Sequence, residues 1–424
     1  MVGTPNTFKC LFLGFVLLAL PGSRPQEGSR KVSVAVTPMA VQLPFYGRMT
    51  DGFNRLLVMP ATPSEWNKMD LILSPDEKLF FAEFQAAPPR LQGEQFRLGR
   101  ILVIKAKNPD EANLFVAGTA EHIHAVEVGW ELISPESSEH SVAQTTSVEM
   151  NPATVLPDIS ILEIQRNLEE FTGAVPTSIG GVEIVLGERK STAGREKARA
   201  WLKERYEALG MTVSTHDYGS GINFVAEKKG KDPSRILLVS SHYDTVSTVG
   251  ADDDGAGTIS ALAVATVLAN EQTIPTIRFV AFDQEELGLV GSKAYAKKMK
   301  DSGEIARLEA DINLEMTGFD QDNDGAFHTI DCNENTSAAL SGALMRYIEA
   351  TGISLRRREA CTNRSDHASF WDYNRPAIVV SQNFFGGDSN PCYHRSCDTT
   401  AKINWVYFQK MTQASAGLVR QLSQ

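Results

Sequence analysis

The sequence predicts an α/β protein: a three-layer sandwich with a mostly parallel central sheet, preceded by a small β-rich N-terminal domain. Three observations carry that prediction. Four short apolar runs, 236–242 (ILLVSSH), 276–282 (TIRFVAF), 311–316 (DINLEM) and 377–381 (AIVVS), alternate with helical segments, the pattern of a parallel sheet with helices packed against it. Acidic residues and histidines recur at the ends of these runs, the edge where open α/β sheets bind ligands. Residues 24–133, by contrast, show little helical periodicity.

Taken in order, residues 1–23 read as a secretory signal peptide. Lys9 supplies the basic start, residues 10–20 are an unbroken apolar and glycine run, and Pro21, Gly22 and Ser23 form a small-residue exit. The run is short for a membrane span, so the mature chain is expected to have no membrane span and to be secreted or periplasmic, with an uncleaved anchor as the alternative. In 24–133, ILVIKA, LFVAG and HAVEVGWELI read as strands. His122 and His124 form a pair without acidic or cysteine company and read as structural. Residues 134–158 (SPESSEHSVAQTTSVEMNPATVLPD) have the composition of a linker, exposed to proteolytic cutting. The N-terminal domain is therefore either a removable propeptide or a permanent interaction domain. The third region is 159–424. Its first helix, ISILEIQRNLEEFTG, closes at Gly173. Its second starts at Ser191 or Thr192 and ends at Gly210. TVSTHDY and NFVAEKK read as strands, and 403–422 as the last helix.

The 424 residues carry 41 Lys and Arg against 52 Asp and Glu, a formal charge of -11. That balance argues against a nucleic-acid partner, which would want a basic face. Without Cys10 four cysteines remain. Cys392 with Cys397, bracketing CYHRSC, and Cys332 with Cys361 are the preferred pairs among three connectivities.

The organising stretch is 236–257. His242 and Asp244 lie at the end of the first apolar run, and Asp252, Asp253 and Asp254 precede an apolar helix. Acidic residues at a helix start are commonly caps; the remaining motifs favour a metal. Glu285 and Glu286 follow the second run side by side. Adjacent side chains point apart, so one can bind a metal while its neighbour acts as a base. Glu315 ends the third run, where an unpaired acid is costly to bury, and His394 lies in the candidate disulfide loop. Two histidines and three carboxylates suit two zinc ions sharing one carboxylate, with cobalt or manganese as substitutes.

These pieces resemble the two-zinc exopeptidases that include secreted bacterial leucyl aminopeptidases and glutamate carboxypeptidase, metallopeptidase family twenty-eight. SHYDTV, GADDDGAG, EELGLVGSKAY, INLEM, RSDHASF and CYHRSCDT occur in the family's order across 159–424. The resemblance implies that His242 and His394 each hold one zinc and that Asp253 bridges both. It pairs Glu286 with His394 and leaves Glu315 for the other zinc. It makes Glu285 the general base, Asp244 the partner of the second ring nitrogen of His242, and Tyr393 the donor to the developing oxyanion. Arg364 is placed to contact substrate. The family commonly has Asp where this chain has Glu315. Ser365, Asp366 and His367 are contiguous and cannot form a Ser–His–Asp triad; a structural role beside the pocket is expected. Asn335 and Asn363 fit the glycosylation sequon, and no glycan is expected at Asn363, beside the pocket.

The function implied is a secreted metallo-aminopeptidase acting on peptide or protein N-termini, with a hydroxide bridging two zinc ions and Glu285 as base. The alternatives are a carboxypeptidase or dipeptidase on the same metals, a one-zinc glutaminyl cyclase, or a non-catalytic binding protein on the same fold.

Overall fold

The computed structural model describes the backbone of strands within residues 30–127, and residues 156–246 and 248–424. The signal-like segment, LFVAG, the His122/His124 pair and most of the linker lie outside the described residues.

Among the described residues, two antiparallel four-stranded sheets occupy the N-terminal part. β1 (Arg30–Pro38) pairs with β3 (Asn54–Met59) and β4 (Lys68–Leu73), and β2 (Gly47–Thr50) flanks β3. In the other sheet β5 (Lys78–Glu83) and β7 (Ile101–Ala106) lie between β6 (Glu94–Leu98) and β8 (Val126–Glu127). ILVIKA is thus a strand, and HAVEVGWELI is described as one only at Val126 and Glu127.

A short hairpin of β9 (Thr177–Ile179) and β10 (Val182–Ile184) precedes the main sheet. That sheet has eight strands. At its centre, β13 (Asp232–His242) runs parallel to β14 (Pro275–Phe282) and to β15 (Leu308–Glu315), and β15 runs parallel to β18 (Ala377–Gln382). These are the four apolar runs. On one side β12 (Ile222–Lys228) and β11 (Thr212–Asp217) continue antiparallel; on the other come β16 (Ala326–Ile330) and β17 (Arg356–Arg358). The order is β11-β12-β14-β13-β15-β18-β16-β17.

The alternation of a strand's side chains sorts them onto two faces. Leu237 and Val239 of β13 join one apolar core, and Ile236 and Leu238 join the other. The first core is closed by the helices Ile161–Phe171, Thr192–Ala208, Gly257–Leu268, Ala338–Thr351 and Trp405–Leu422. The second is covered by Val290–Asp301 and the short Ala368–Trp371. Helix starts follow side-chain capping: Ser160, Ser191 and Asn404 accept the amides of Glu163, Gly194 and Tyr407. The helix Gly257–Leu268 is buried on nearly every side. A Cβ at Gly257 would stand 2.1 Å from the carbonyl oxygen of Leu314, so glycine lets the helix start against β15.

Both preferred cysteine pairs are formed, Cys332–Cys361 and Cys392–Cys397. Among the described residues, no helix is long and apolar enough to cross a membrane.

Candidate metal centre

The parallel strands deliver their carboxyl ends to one place. β13 ends in His242, β14 is followed by the turn bearing Glu285 and Glu286, β15 ends in Glu315, and the segment after β18 carries Tyr393 and His394. Asp253 enters from the loop before the helix Gly257–Leu268.

Asp253 lies between the two imidazoles. Its Oδ1 is 3.2 Å from Nε2 of His242, and its Oδ2 is 3.0 Å from Nε2 of His394. Glu286 Oε2 is 2.9 Å from the same His394 nitrogen. On the other side Glu315 Oε1 is 3.4 Å from Nε2 of His242, and Glu285 Oε2 is 3.9 Å from it. The short contacts pair His394 with Glu286 and His242 with Glu315, one oxygen of Asp253 facing each imidazole, while Glu286 also lies within 4.8 Å of His242 and Asp253.

The three consecutive aspartates separate by where their oxygens already point. Asp252 accepts from the amide of Gly318 and from Nδ2 of Asn390. Asp254 accepts three backbone amides, those of Gly257, Met316 and His242. Although Asp254 lies close enough to His242 and Glu315 to share an ion with them, its oxygens are engaged in holding the strand ends together. The backbone of Asp253 is fixed in turn: Asp398 accepts the amides of Asp252 and Asp253, one on each carboxylate oxygen.

Asp244 also has an anchoring geometry. Its oxygens accept the amides of Glu285 at 3.0 Å and Glu286 at 3.3 Å. The closer acceptor for Nδ1 of His242 is the backbone carbonyl of Asp244 at 3.2 Å, with the carboxylate at 3.5 Å. Either contact places the ring proton on Nδ1 and leaves Nε2 to face the centre. Ser365 donates to Oε2 of Glu315 and itself accepts from Asn313, so the first residue of the contiguous Ser-Asp-His stretch braces a candidate ligand. His367 is buried against Trp371, and burial lowers its pKa to about 3, so it is neutral. The Tyr393 ring stacks on His394, centroids 3.8 Å apart, and touches Phe384. The Arg364 guanidinium lies over Phe384 and Phe385.

The electrostatics fit bound cation charge. Asp253, Glu285, Glu286, Glu315 and Asp366 outnumber the two imidazoles. Burial pushes the pKa values of Glu285, Glu286 and Asp366 upward. Burial opposes the charge on His394, yet Glu286 and Asp253 hold its pKa up at about 10. Imidazole nitrogens and carboxylate oxygens are a zinc donor set, and Asp253 is placed to be shared.

One contributor has no signature in the sequence. Arg189 is fully buried and donates to the carbonyls of Tyr243, Val249 and Gly250, while its amide donates to Thr245. It lies over Phe171 and ties together the loop between His242 and Asp253. Burial lowers its pKa only to about 10, so it stays charged at neutral pH. Arg189→Met, which keeps the packing but strands three carbonyls, is expected to destabilise the protein by about 3 kcal/mol in urea unfolding. A loss under about 1 kcal/mol would show that the loop holds itself.

Fold and site together define a candidate metal centre at the carboxyl ends of the parallel strands in a mixed, helix-flanked sheet. Residues 223–419 match the model of Peptidase family M28. The chain is 27% identical over 284 residues to Leupeptin-inactivating enzyme 1 of Streptomyces exfoliatus, covering 61% of each chain. It is 29% identical over 257 residues to Leucine aminopeptidase 2 of Trichophyton rubrum, covering 55% of this chain and 51% of that one. The chain thus spans between half and three-fifths of the length of these curated relatives. In fold it resembles the Legionella pneumophila LapA aminopeptidase, with a TM-score of 0.63 and 19% identity over 82% of this chain and 99% of that one. It also resembles Fimbriiglobus ruber glutaminyl cyclase, with a TM-score of 0.51 and 19% identity over 62% of this chain and 98% of that one.

Proposed function

We propose that the chain is an exported, zinc-dependent aminopeptidase that holds two ions. His242, Glu315 and Asp253 would hold one, and His394, Glu286 and Asp253 the other. The observation that carries this reading is the position of Asp253, one oxygen toward each imidazole. Bound there, the ions supply Lewis acidity toward a peptide carbonyl and a more acidic water.

The chain's own residues account for the remaining work. Glu285 stands beside the shared centre with its backbone fixed on Asp244. Burial raises its proton affinity, which suits a group that takes a proton and passes it to a departing amine. The Tyr393 hydroxyl would donate to the carbonyl oxygen as negative charge develops there, and Arg364 would contact the substrate. Glu315, one methylene longer than the Asp usual in the family, still comes within 3.4 Å of His242 and is steadied by Ser365. The presence of both imidazoles and a shared carboxylate favours a two-ion peptidase over a one-zinc cyclase. The two disulfides accord with an exported protein.

The test combines elemental analysis with hydrolysis of one peptide, first with a free and then with an acetylated N-terminus. Two zinc ions per chain and cleavage of the free form alone are expected. Equal cleavage of both forms would replace the aminopeptidase reading with that of a carboxypeptidase or broader peptidase.

A further inference from the structure

Five residues beyond Glu315 the chain reads Asp320-Gln321-Asp322-Asn323-Asp324-Gly325. Asp at the first, third and fifth positions with Gly at the sixth is the opening spacing of a calcium-binding loop. In such a loop the twelfth residue supplies a closing carboxylate. Here that residue is Asp331, which pairs with Arg357. Asp388 takes its place from a different segment: carboxylate oxygens of Asp320, Asp322, Asp324 and Asp388 all lie within 4.8 Å of one another. A calcium ion with oxygens at 2.3–2.6 Å sets opposite ligands about 4.6–5.2 Å apart, whereas magnesium draws them to about 4.1 Å.

A second observation is independent of the spacing. Asp320 is only 7% exposed, and its Oδ1 accepts no hydrogen bond. A carboxylate oxygen buried in that way and grouped with three other acids is costly unless a cation meets it. Arg356 and Arg358 do reach the cluster, but both pair with Asp324 and both are more than half exposed. Exposed pairs of this kind contribute little, and neither is paired with Asp320 or Asp388.

We propose that Asp320, Asp322, Asp324 and Asp388 bind one calcium ion at a site separate from the candidate zinc centre. Asp320 follows Glu315 by five residues, and Asp388 precedes His394 by six. The two segments already touch, the amide of Gln321 donating to Asp388. The ion would therefore clamp the segment leaving β15 to the segment that carries Tyr393 and His394. The proposal does not depend on the peptidase reading.

The test uses the purified full chain, stripped on a chelating resin and reloaded with zinc. Calcium chloride is titrated by calorimetry, with thermal unfolding followed in parallel. One ion per chain is expected, with a Kd between about 10⁻⁶ and 10⁻³ M and a rise in Tm of about 5 °C at saturation. Asp322→Asn removes an exposed carboxylate but keeps an oxygen for the amide of Asp324. It should weaken calcium binding at least tenfold, while His394→Ala should leave it unchanged. The proposal is overturned by no binding in the wild type, by an equal response to magnesium chloride, or by an unaltered response in Asp322→Asn. Loss of the response in His394→Ala would likewise overturn it, by assigning the calcium to the other centre.

Discussion

Replacing Glu285 by Gln is expected to lower kcat by about 10²–10⁴ while zinc content stays at two and KM changes little. The amide is isosteric, so the residue's backbone contact with Asp244 is retained. Its side chain lies 3.9 Å from Nε2 of His242, farther than any other carboxylate of the centre that approaches an imidazole. It is thus the acid least committed to holding an ion and the one left to carry a proton. Glutamine can accept a hydrogen bond but cannot take up and return a proton, so the loss should fall on the chemical step. Elemental analysis and steady-state kinetics on one preparation would check it. A kcat within tenfold of wild type would remove Glu285 from that role. A fall in zinc instead would make it a ligand.

How much of this was legible in the sequence depended on whether a feature was local. Continuous apolar runs named the four parallel strands, and the His and Glu at or after their ends named most of the centre, because burial on both faces writes itself directly into composition. Helix starts at Ser191 and near Asn404 were legible for the same reason, since a cap acts within one turn. β16 and β17 were not read as strands: the former has five residues, and the latter is an Arg-rich run of three whose pairing is decided by the sheet edge. The same limit applies to the support of the site. Asp398 holds the amides of Asp252 and Asp253 from about 145 residues away, and Arg189 reaches the carbonyls of the metal loop from more than 50. A solitary Asp after a cysteine and an Arg before a helix give no local sign of such partners. The acidic loop at Asp320 did have a local sign in its spacing; what the sequence lacked was the arrival of Asp388.

The departure at Glu315 illustrates how long-range packing can absorb a local change. One extra methylene would overreach if the side chain stood alone. Ser365 instead holds Oε2, leaving Oε1 toward His242, and Asn313 on the same strand donates to Ser365. The serine that could not belong to a catalytic triad is thus the feature that makes a glutamate workable at this strand end.

Asp253→Asn should have the largest effect of all, reducing zinc from two ions per chain to nearly none and kcat/KM by at least about 10⁴. The effect is large because Asp253 is shared. His394→Ala removes a donor from one half and should leave about one ion bound at the other. Asp253 serves both halves, and an amide supplies neither the charge nor two equivalent oxygens. Burial disfavours the Asp253 carboxylate, yet contacts from His242 and His394 keep it ionised, so its charge is already concentrated where both ions would sit. Global folding should survive, since the backbone here hangs on Asp398 and Asp254 rather than on the Asp253 side chain. Far-ultraviolet circular dichroism would report that, beside metal analysis after dialysis against a fixed free zinc concentration. If Asp253→Asn instead retained one ion, and His394→Ala did too, Asp253 would serve one half alone and the reading of a shared carboxylate would fail.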